Sequence, residues 1–115
     1  MIGIDIIDVN RIAELSKNTR FLTKVFTQYE IEYFKAQGNN PQTLAGFFCA
    51  KESFAKALGC GIFAIKLTDV EVFHDNLGRP LLKLYNKAET LLQKRCTNLS
   101  ISHTSNFAIA VCVLN

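Results

Sequence analysis

The sequence predicts one domain of the α+β class, in which a small antiparallel sheet packs on a long helix. Strand and helix patterns follow one another without the regular βαβ repeat that indicates a parallel sheet. The segment from Pro41 to Gly59 has apolar residues at a helical period. The second half of the chain contains two alternating pairs of segments that are typical of β-hairpins.

The composition is that of a globular protein. The 115 residues are 49% hydrophobic and 20% charged, which predicts a single domain over 1–115. No apolar run is long enough for a membrane span, and the net charge of +3 is too small to indicate nucleic acid. The first residues do not resemble a signal peptide, and four cysteines show no paired metal spacing. We therefore expect a cytoplasmic protein with reduced thiols and no membrane or nucleic-acid partner.

The first quarter of the chain predicts a strand and then a helix. Ile2 to Ile7 is nearly continuous in β-branched residues, which indicates a buried strand. Asp8 or Asn10 can cap a helix through RIAELSKN, with Ile12 and Leu15 on its inner face.

Helix boundaries are marked by capping residues in the next segment. Thr27 and Glu30 have the spacing of a capping box, and the helix that they begin ends at Gly38. Asn40 and Pro41 begin the long helix.

The second half predicts a hairpin, a short helix and a second pair of strands. LTDVEVFHDNLGRPLLKLY alternates around a D-N-L-G turn, and NKAETLLQKRC has a helical pattern. LSISHTSNFAIAVCVL reads as two strands around a turn near Ser105 and Asn106.

Two carboxylates are predicted to face inward. Asp5 lies in an apolar strand, where an unpaired charge costs several kcal/mol. Glu52 lies at the edge of the apolar face of the long helix. Mg²⁺ is typically held by one or two carboxylates and completed by waters and phosphates. The pair therefore predicts a magnesium site.

Basic groups accompany these carboxylates. Lys51 lies within the apolar arc, and Lys56 follows Glu52 by one turn. Ammonium groups beside a metal suit a polyanion such as pyrophosphate. His103, at the end of a predicted strand, is a further candidate donor to a phosphate.

Each residue also has a simple structural explanation. Glu52 and Lys56 can form a surface helix pair worth roughly 0.2–0.5 kcal/mol. Lys51 can lay its stem along the core, and His103 can be a hydrogen-bonded structural residue. The GRP segment at 78–80 can simply be a turn. Only their combination favours a functional site.

The segments GIDIIDVNRI, FFCAKESFAKALG, GRP and SISHTSNFAIA occur in this order along the whole chain. Together they resemble the holo-acyl-carrier-protein synthases, the short single-unit branch of the 4′-phosphopantetheinyl transferase superfamily. The resemblance implies that fold, a homotrimer with sites between neighbouring chains, and a role in fatty acid biosynthesis. It implies magnesium-dependent transfer of 4′-phosphopantetheine from coenzyme A to a serine of acyl carrier protein, releasing adenosine 3′,5′-bisphosphate.

The resemblance also assigns roles to residues. It places the metal on Asp5 and Glu52 and coenzyme A phosphates on Lys56. Glu52, directly or through a water held by the metal, is the candidate base for the serine proton. The remaining candidates for coenzyme A binding are Lys51, Gly78, Pro80 and His103. Many relatives have arginine where this chain has Phe47, so one expected phosphate contact is missing.

The acidic carrier protein is expected to dock on a basic face. Arg11 on the first helix provides this face, with apolar contacts from Ile12 or Leu15. Lys17, Arg20 and Lys24 lie nearby in the sequence.

Two other functions remain open at this point. A non-catalytic nucleotide-binding or regulatory module would need basic residues and a cleft, but not Asp5 together with Glu52. A structural subunit would tolerate alanine at both carboxylates.

Overall fold

The computed structural model describes residues 1–61 and 64–115. Its strands are β1 (Ile2–Asp8), β2 (Val70–His74), β3 (Pro80–Leu84), β4 (Thr97–His103) and β5 (Phe107–Leu114). Its α-helices are α1 (Val9–Leu15), α2 (Thr19–Val25), α3 (Gln28–Ala36), α4 (Pro41–Leu58) and α5 (Asn86–Leu92). These elements confirm the α+β class. Within the described ranges, no helix is long and apolar enough to cross a membrane.

The strands form two antiparallel sheets. One sheet has three strands in the order β1-β5-β4, and the other is the β2-β3 hairpin. In the larger sheet Asp5 lies opposite Ala110, which lies opposite Ile101. At the end of β4, His103 lies opposite Ala108. This register places Asp5 on the edge strand and His103 on the opposite edge strand.

Helix α4 packs across the inner face of the larger sheet, and it approaches β1 closely at Gly3. A Cβ atom added to Gly3 would lie 2.0 Å from the Ser53 carbonyl oxygen and 2.5 Å from the Ala57 nitrogen. Only glycine fits there, because both neighbours are backbone atoms. Asp5 points to the same face two residues later, so this crossing brings β1 against the second half of α4.

The predicted helix caps are confirmed. Asp8 caps α1 by accepting a hydrogen bond from the Asn10 nitrogen at 2.9 Å. Thr27 and Glu30 form the complete capping box of α3, and the Asn40 side chain caps α4. Gly59 ends α4 in the left-handed conformation, with φ of 76°.

Helix α2 was missed by the sequence interpretation. Residues 19–25 form a separate helix, and the Asn18 side chain accepts hydrogen bonds from the Arg20 and Phe21 nitrogens. An asparagine before a helical segment is a capping signal, so the sequence contained the information.

The prediction of a fully buried β1 is wrong for the single chain. Ile2, Ile4 and Ile6 are 68%, 55% and 63% exposed, whereas Gly3 and Ile7 on the other face are buried. The outer face of β1 continues onto β5, where Phe107 is exposed and Ile109, Val111 and Val113 are half-buried. We call this outer surface the apolar sheet face; it consists of Ile2, Ile4, Ile6, Phe107, Ile109, Val111 and Val113.

Candidate active site

Asp5 and Glu52 lie close together between β1 and α4. The Asp5 side chain is 15% exposed, and Glu52 is half-buried. Burial raises the pKa of Glu52, and the nearby charge of Asp5 raises that pKa further, while Lys56 opposes the shift. A half-buried carboxylate whose charge is disfavoured by burial and by a second carboxylate forms a site suited to a cation.

Lys56 extends over this pair from the next turn of α4. Its Nζ donates to Asp5 Oδ1 at 3.1 Å and to the Ile4 carbonyl oxygen at 3.0 Å. In the described ion pairs its partner is Asp5 rather than Glu52. The Lys56 side chain is 53% exposed, so its ammonium group stands at the solvent side of the carboxylates.

The residues present fit Mg²⁺ as a sparsely ligated ion. Within residues 1–61 and 64–115, no group of three or more His, Cys, Asp or Glu side chains could hold a metal. The site offers two protein carboxylates, Asp5 and Glu52. That is the small, hard-oxygen donor set that leaves positions for waters and substrate phosphates.

Cys49 is a buried residue next to Asp5. Its Sγ lies 3.4 Å from the Ala108 carbonyl oxygen, and its side chain is fully buried. Burial, with the charges of Asp5 and Glu52, raises the pKa of Cys49 to about 12. The group is therefore a thiol and not a nucleophilic thiolate. Nothing in the sequence had singled it out.

Lys51 does not reach the surface, and its predicted contact with coenzyme A is wrong. The side chain is fully buried, and Nζ lies 2.7 Å from Glu30 Oε1. Nζ also donates to the Leu67 carbonyl oxygen at 2.9 Å and to the Val70 carbonyl oxygen at 2.6 Å. An ammonium group has three donors, so no donor remains for a phosphate.

Glu30 is the counterpart of Lys51 in the core. It accepts hydrogen bonds from the Val72 nitrogen at 2.8 Å and the Thr27 nitrogen at 2.9 Å. Burial raises the pKa of Glu30 and lowers that of Lys51, and the ion pair opposes both shifts. The buried ion pair therefore joins α3, α4 and β2.

A second candidate region is a cavity of about 350 Å³, which we call the hairpin cavity. It brings together three predicted site residues, Gly78, Pro80 and His103, from the β2-β3 hairpin and the end of β4. Asp5, Glu52 and Lys56 do not line it. In a single chain, the predicted residues thus form two separate groups.

One wall of the hairpin cavity is aromatic. The rings of Tyr33 and His74 stack with centroids 4.9 Å apart at 18°. The Phe47 ring lies 5.6 Å from Tyr33 and 6.1 Å from His74. The sequence interpretation considered neither Tyr33 nor His74, because α3, α4 and β2 meet only in the fold.

The residues predicted to bind a carrier protein differ in exposure. Arg11 is exposed and Leu15 is half-buried. Ile12 is fully buried in the core, so its predicted carrier contact is wrong. On α1, Ile12 lies on the side that faces α4, whereas Leu15 lies nearer the surface.

Comparison with known proteins identifies the family. The family model described as the 4′-phosphopantetheinyl transferase superfamily matches residues 1–112. The chain belongs to this superfamily. A holo-[acyl-carrier-protein] synthase of Caldicellulosiruptor bescii is 43% identical, over 97% of this chain and 94% of the relative. One of Halothermothrix orenii is 44% identical, with the same two shares covered. These relatives place the chain among the holo-[acyl-carrier-protein] synthases.

Solved structures agree with this assignment. The Helicobacter pylori holo-[acyl-carrier-protein] synthase in complex with coenzyme A matches with a TM-score of 0.90 and 33% identity, over 100% of both chains. The Neisseria meningitidis holo-[acyl-carrier-protein] synthase matches with a TM-score of 0.90 and 32% identity, over 99% of this chain and 96% of the other. The predicted fold family is confirmed.

Proposed function

We propose that this chain is a magnesium-dependent holo-[acyl-carrier-protein] synthase of fatty acid biosynthesis. It transfers 4′-phosphopantetheine from coenzyme A to a serine of apo-acyl carrier protein. The observation that carries the proposal is the Asp5–Glu52 pair beneath Lys56, in a chain with this family membership. A regulatory nucleotide-binding module would not need two mutually repelling carboxylates beside an exposed ammonium group.

Each group in the cluster has a role in this transfer. Asp5 and Glu52 would hold Mg²⁺, which supplies Lewis-acid stabilisation of charge on phosphate oxygens when it is bound. Lys56 sits 3.1 Å from Asp5 and is exposed, so its Nζ is placed to neutralise the same oxygens. Glu52 is the candidate base that receives the serine proton.

The reaction is a phosphoryl transfer, in which one bond to phosphorus forms and another breaks. The serine oxygen forms a bond to the pantetheine-side phosphorus of coenzyme A. The bond from that phosphorus to the bridging oxygen breaks, and adenosine 3′,5′-bisphosphate leaves. Positioning and electrostatic stabilisation account for most of the catalysis in such transfers.

Calorimetric titration of the chain with coenzyme A tests the co-substrate proposal directly. We expect saturable binding that strengthens when Mg²⁺ is added, because Asp5 and Glu52 would hold the ion and its charge would favour binding of the phosphates. Binding that is the same with Mg²⁺ and with a chelator would remove the metal from the account. Tight nucleotide binding without any transfer to a carrier protein would favour the regulatory module.

Coenzyme A binding is also proposed for Gly78, Pro80 and His103, which share the hairpin cavity. These residues and the Asp5–Glu52–Lys56 cluster lie apart in one chain, and the apolar sheet face lies open. Large exposed apolar surfaces mark interfaces. This surface supports association of copies of the chain, and the resemblance implies a homotrimer; we propose that in it one chain's carboxylate cluster meets a neighbour's hairpin cavity.

Mixing two inactive variants tests the shared site. Glu52→Ala and His103→Ala chains, each inactive alone, should regain activity when they are exchanged into mixed trimers. Some interfaces then combine an intact Glu52 with an intact His103. Differently tagged chains analysed by native mass spectrometry verify the exchange, and mixing two Glu52→Ala preparations is the control. Verified mixed trimers without activity, or a fully active monomer in sedimentation, would contradict the shared site.

The carrier protein is proposed to dock beside Arg11, with Leu15 adding apolar surface. We expect Arg11→Ala to raise the carrier KM about 5- to 10-fold while the coenzyme A KM stays unchanged, because only an electrostatic contact to the carrier is lost. Lys87→Ala, an exposed charge loss on α5, is the matched control. The carrier KM of the wild type should rise with salt. A salt-independent carrier KM would place the contact elsewhere.

We further propose that the chain acts as one domain in the cytoplasm. Both hydrophobic clusters include residues of α4, which supports a single folding unit. Cys49 and Cys112 are buried free thiols, which suits a reducing compartment.

A further inference from the structure

The Lys56 ammonium group is bound to the edge strand β1 beside the two carboxylates. Its Nζ donates to Asp5 Oδ1 at 3.1 Å and to the Ile4 carbonyl oxygen at 3.0 Å. An ammonium group has three donors, so these contacts use two of them, and within the described residues one is left for a phosphate oxygen. The same lysine is therefore in contact with a proposed metal ligand and available to a phosphate.

Lys56 and a divalent cation cannot both lie close to Asp5 without a cost. Coulomb repulsion between a single and a double positive charge is twice that between two single charges at the same distance. The Asp5 side chain is 15% exposed, so water screens that repulsion only in part. The Lys56 side chain is 53% exposed, which leaves its flexible stem room to withdraw toward solvent. An ion that binds Asp5 would therefore have to move the ammonium group.

The charge of Lys56 also acts on the second carboxylate. Burial and the charge of Asp5 raise the pKa of Glu52, and Lys56, one helical turn later, opposes that shift. The ammonium group thus supplies one positive charge to the pair of carboxylates. A bound Mg²⁺ would supply two, to the same pair.

We propose that Lys56 is a competing counter-ion that controls metal loading: its ammonium group and Mg²⁺ compete for Asp5, and the phosphates of coenzyme A end the competition by drawing the ammonium group away. The apparent Kd of the ion is then raised in proportion to the fraction of chains in which Lys56 holds Asp5. By linkage, the ion and coenzyme A strengthen each other's binding by the same factor. The inference rests on the proposed function and adds a reason why the ion binds tightly only together with the co-substrate.

Removing the ammonium group is expected to strengthen metal binding, although the same group is expected to assist transfer. Mn²⁺ shares the preference of Mg²⁺ for carboxylate oxygens, and electron paramagnetic resonance measures its free concentration. In titrations without coenzyme A, we expect Lys56→Met to bind Mn²⁺ about 5- to 10-fold more tightly than wild type. Lys56→Arg keeps the charge and should stay within about twofold of wild type. Lys35→Met removes an exposed lysine of α3, so it changes the net charge equally and is the matched control.

Repeating the titrations with saturating coenzyme A tests the movement of the ammonium group. Coenzyme A should strengthen Mn²⁺ binding more in the wild type than in Lys56→Met, because only the wild type has a competitor to remove. An equal strengthening in both chains would overturn the proposal. So would unchanged or weaker Mn²⁺ binding by Lys56→Met alone, or an equal gain in Lys35→Met, which would reduce the effect to net charge.

Two further outcomes separate this inference from the proposed function. Wild-type chain that shows the expected Mn²⁺ pattern and leaves apo-acyl carrier protein unmodified would refute the transferase and keep the competing counter-ion. Asp5→Asn chain that binds Mn²⁺ as the wild type does would remove the ion from Asp5 and overturn the inference. Thermal unfolding in the presence of a chelator confirms that each variant is folded.

Discussion

Asp5→Ala and Glu52→Ala are each expected to reduce magnesium-dependent transfer at least about 100-fold, since even residues outside the metal's direct ligands typically cost 10- to 100-fold when replaced. Either change leaves a single carboxylate to hold the ion. Asp5→Asn and Glu52→Gln should lose activity to a similar extent, because they preserve shape and remove charge. Glu89→Ala, which removes an exposed carboxylate on α5, should retain full activity.

The same variants should behave differently in stability. Glu52 is half-buried beside Asp5, so Glu52→Ala relieves repulsion and should leave the metal-free protein at least as stable as wild type. Added Mg²⁺ should raise the Tm of the wild type but not of either alanine variant, because only a folded state that binds the ion is stabilised. Near-normal transfer by one variant at limiting Mg²⁺ would remove that residue from the metal site.

The second large effect is expected at the buried Lys51–Glu30 pair. Lys51→Met should cost about 3–5 kcal/mol in the free energy of unfolding, because it leaves the buried Glu30 carboxylate without its counter-charge. The chain provides a matched control in Lys17–Glu14, a pair with the same chemistry whose side chains are 72% and 74% exposed. Lys17→Met should cost only about 0–1 kcal/mol. Urea unfolding of both variants measures the difference.

A double variant separates stability from ligand binding. Lys51→Met combined with Glu30→Leu removes both charges and should recover much of the lost stability. If Lys51 acts only in the core, the double variant should bind coenzyme A with wild-type affinity. A stable Lys51→Met chain that has lost coenzyme A affinity would show that the lysine meets the ligand after all.

Lys51 shows which properties of a side chain the sequence can predict. Helical spacing correctly placed Lys51 on the inner arc of α4, but it cannot say what the arc faces. The partner, Glu30, lies 21 residues earlier and was recognised only as part of a capping box. The same periodicity predicts that Ile12 faces inward, and Ile12 is fully buried, which excludes a surface contact with the carrier in this structure. Whether an inward side chain meets solvent, ligand or core depends on the packing of distant elements.

Local signals were sufficient where local physics decides the outcome. Capping side chains and the left-handed Gly59 defined the ends of helices, and the turn at Asp75 defined the hairpin. The stacked His74 and Tyr33 had no such signal, since they lie on elements that are distant in sequence. The exposure of the outer face of β1 could not be predicted either. A continuous apolar strand is typical both of a strand buried within one chain and of a strand buried between chains.

The most direct test is the intact mass of apo-acyl carrier protein after incubation with this chain, coenzyme A and Mg²⁺. The account predicts that the carrier gains the mass of one 4′-phosphopantetheine group on a single serine, and that the gain is absent with a chelator or with Glu52→Ala. A carrier of unchanged mass, in the presence of folded chain that binds coenzyme A, would contradict the transferase and leave a nucleotide-binding module in its place.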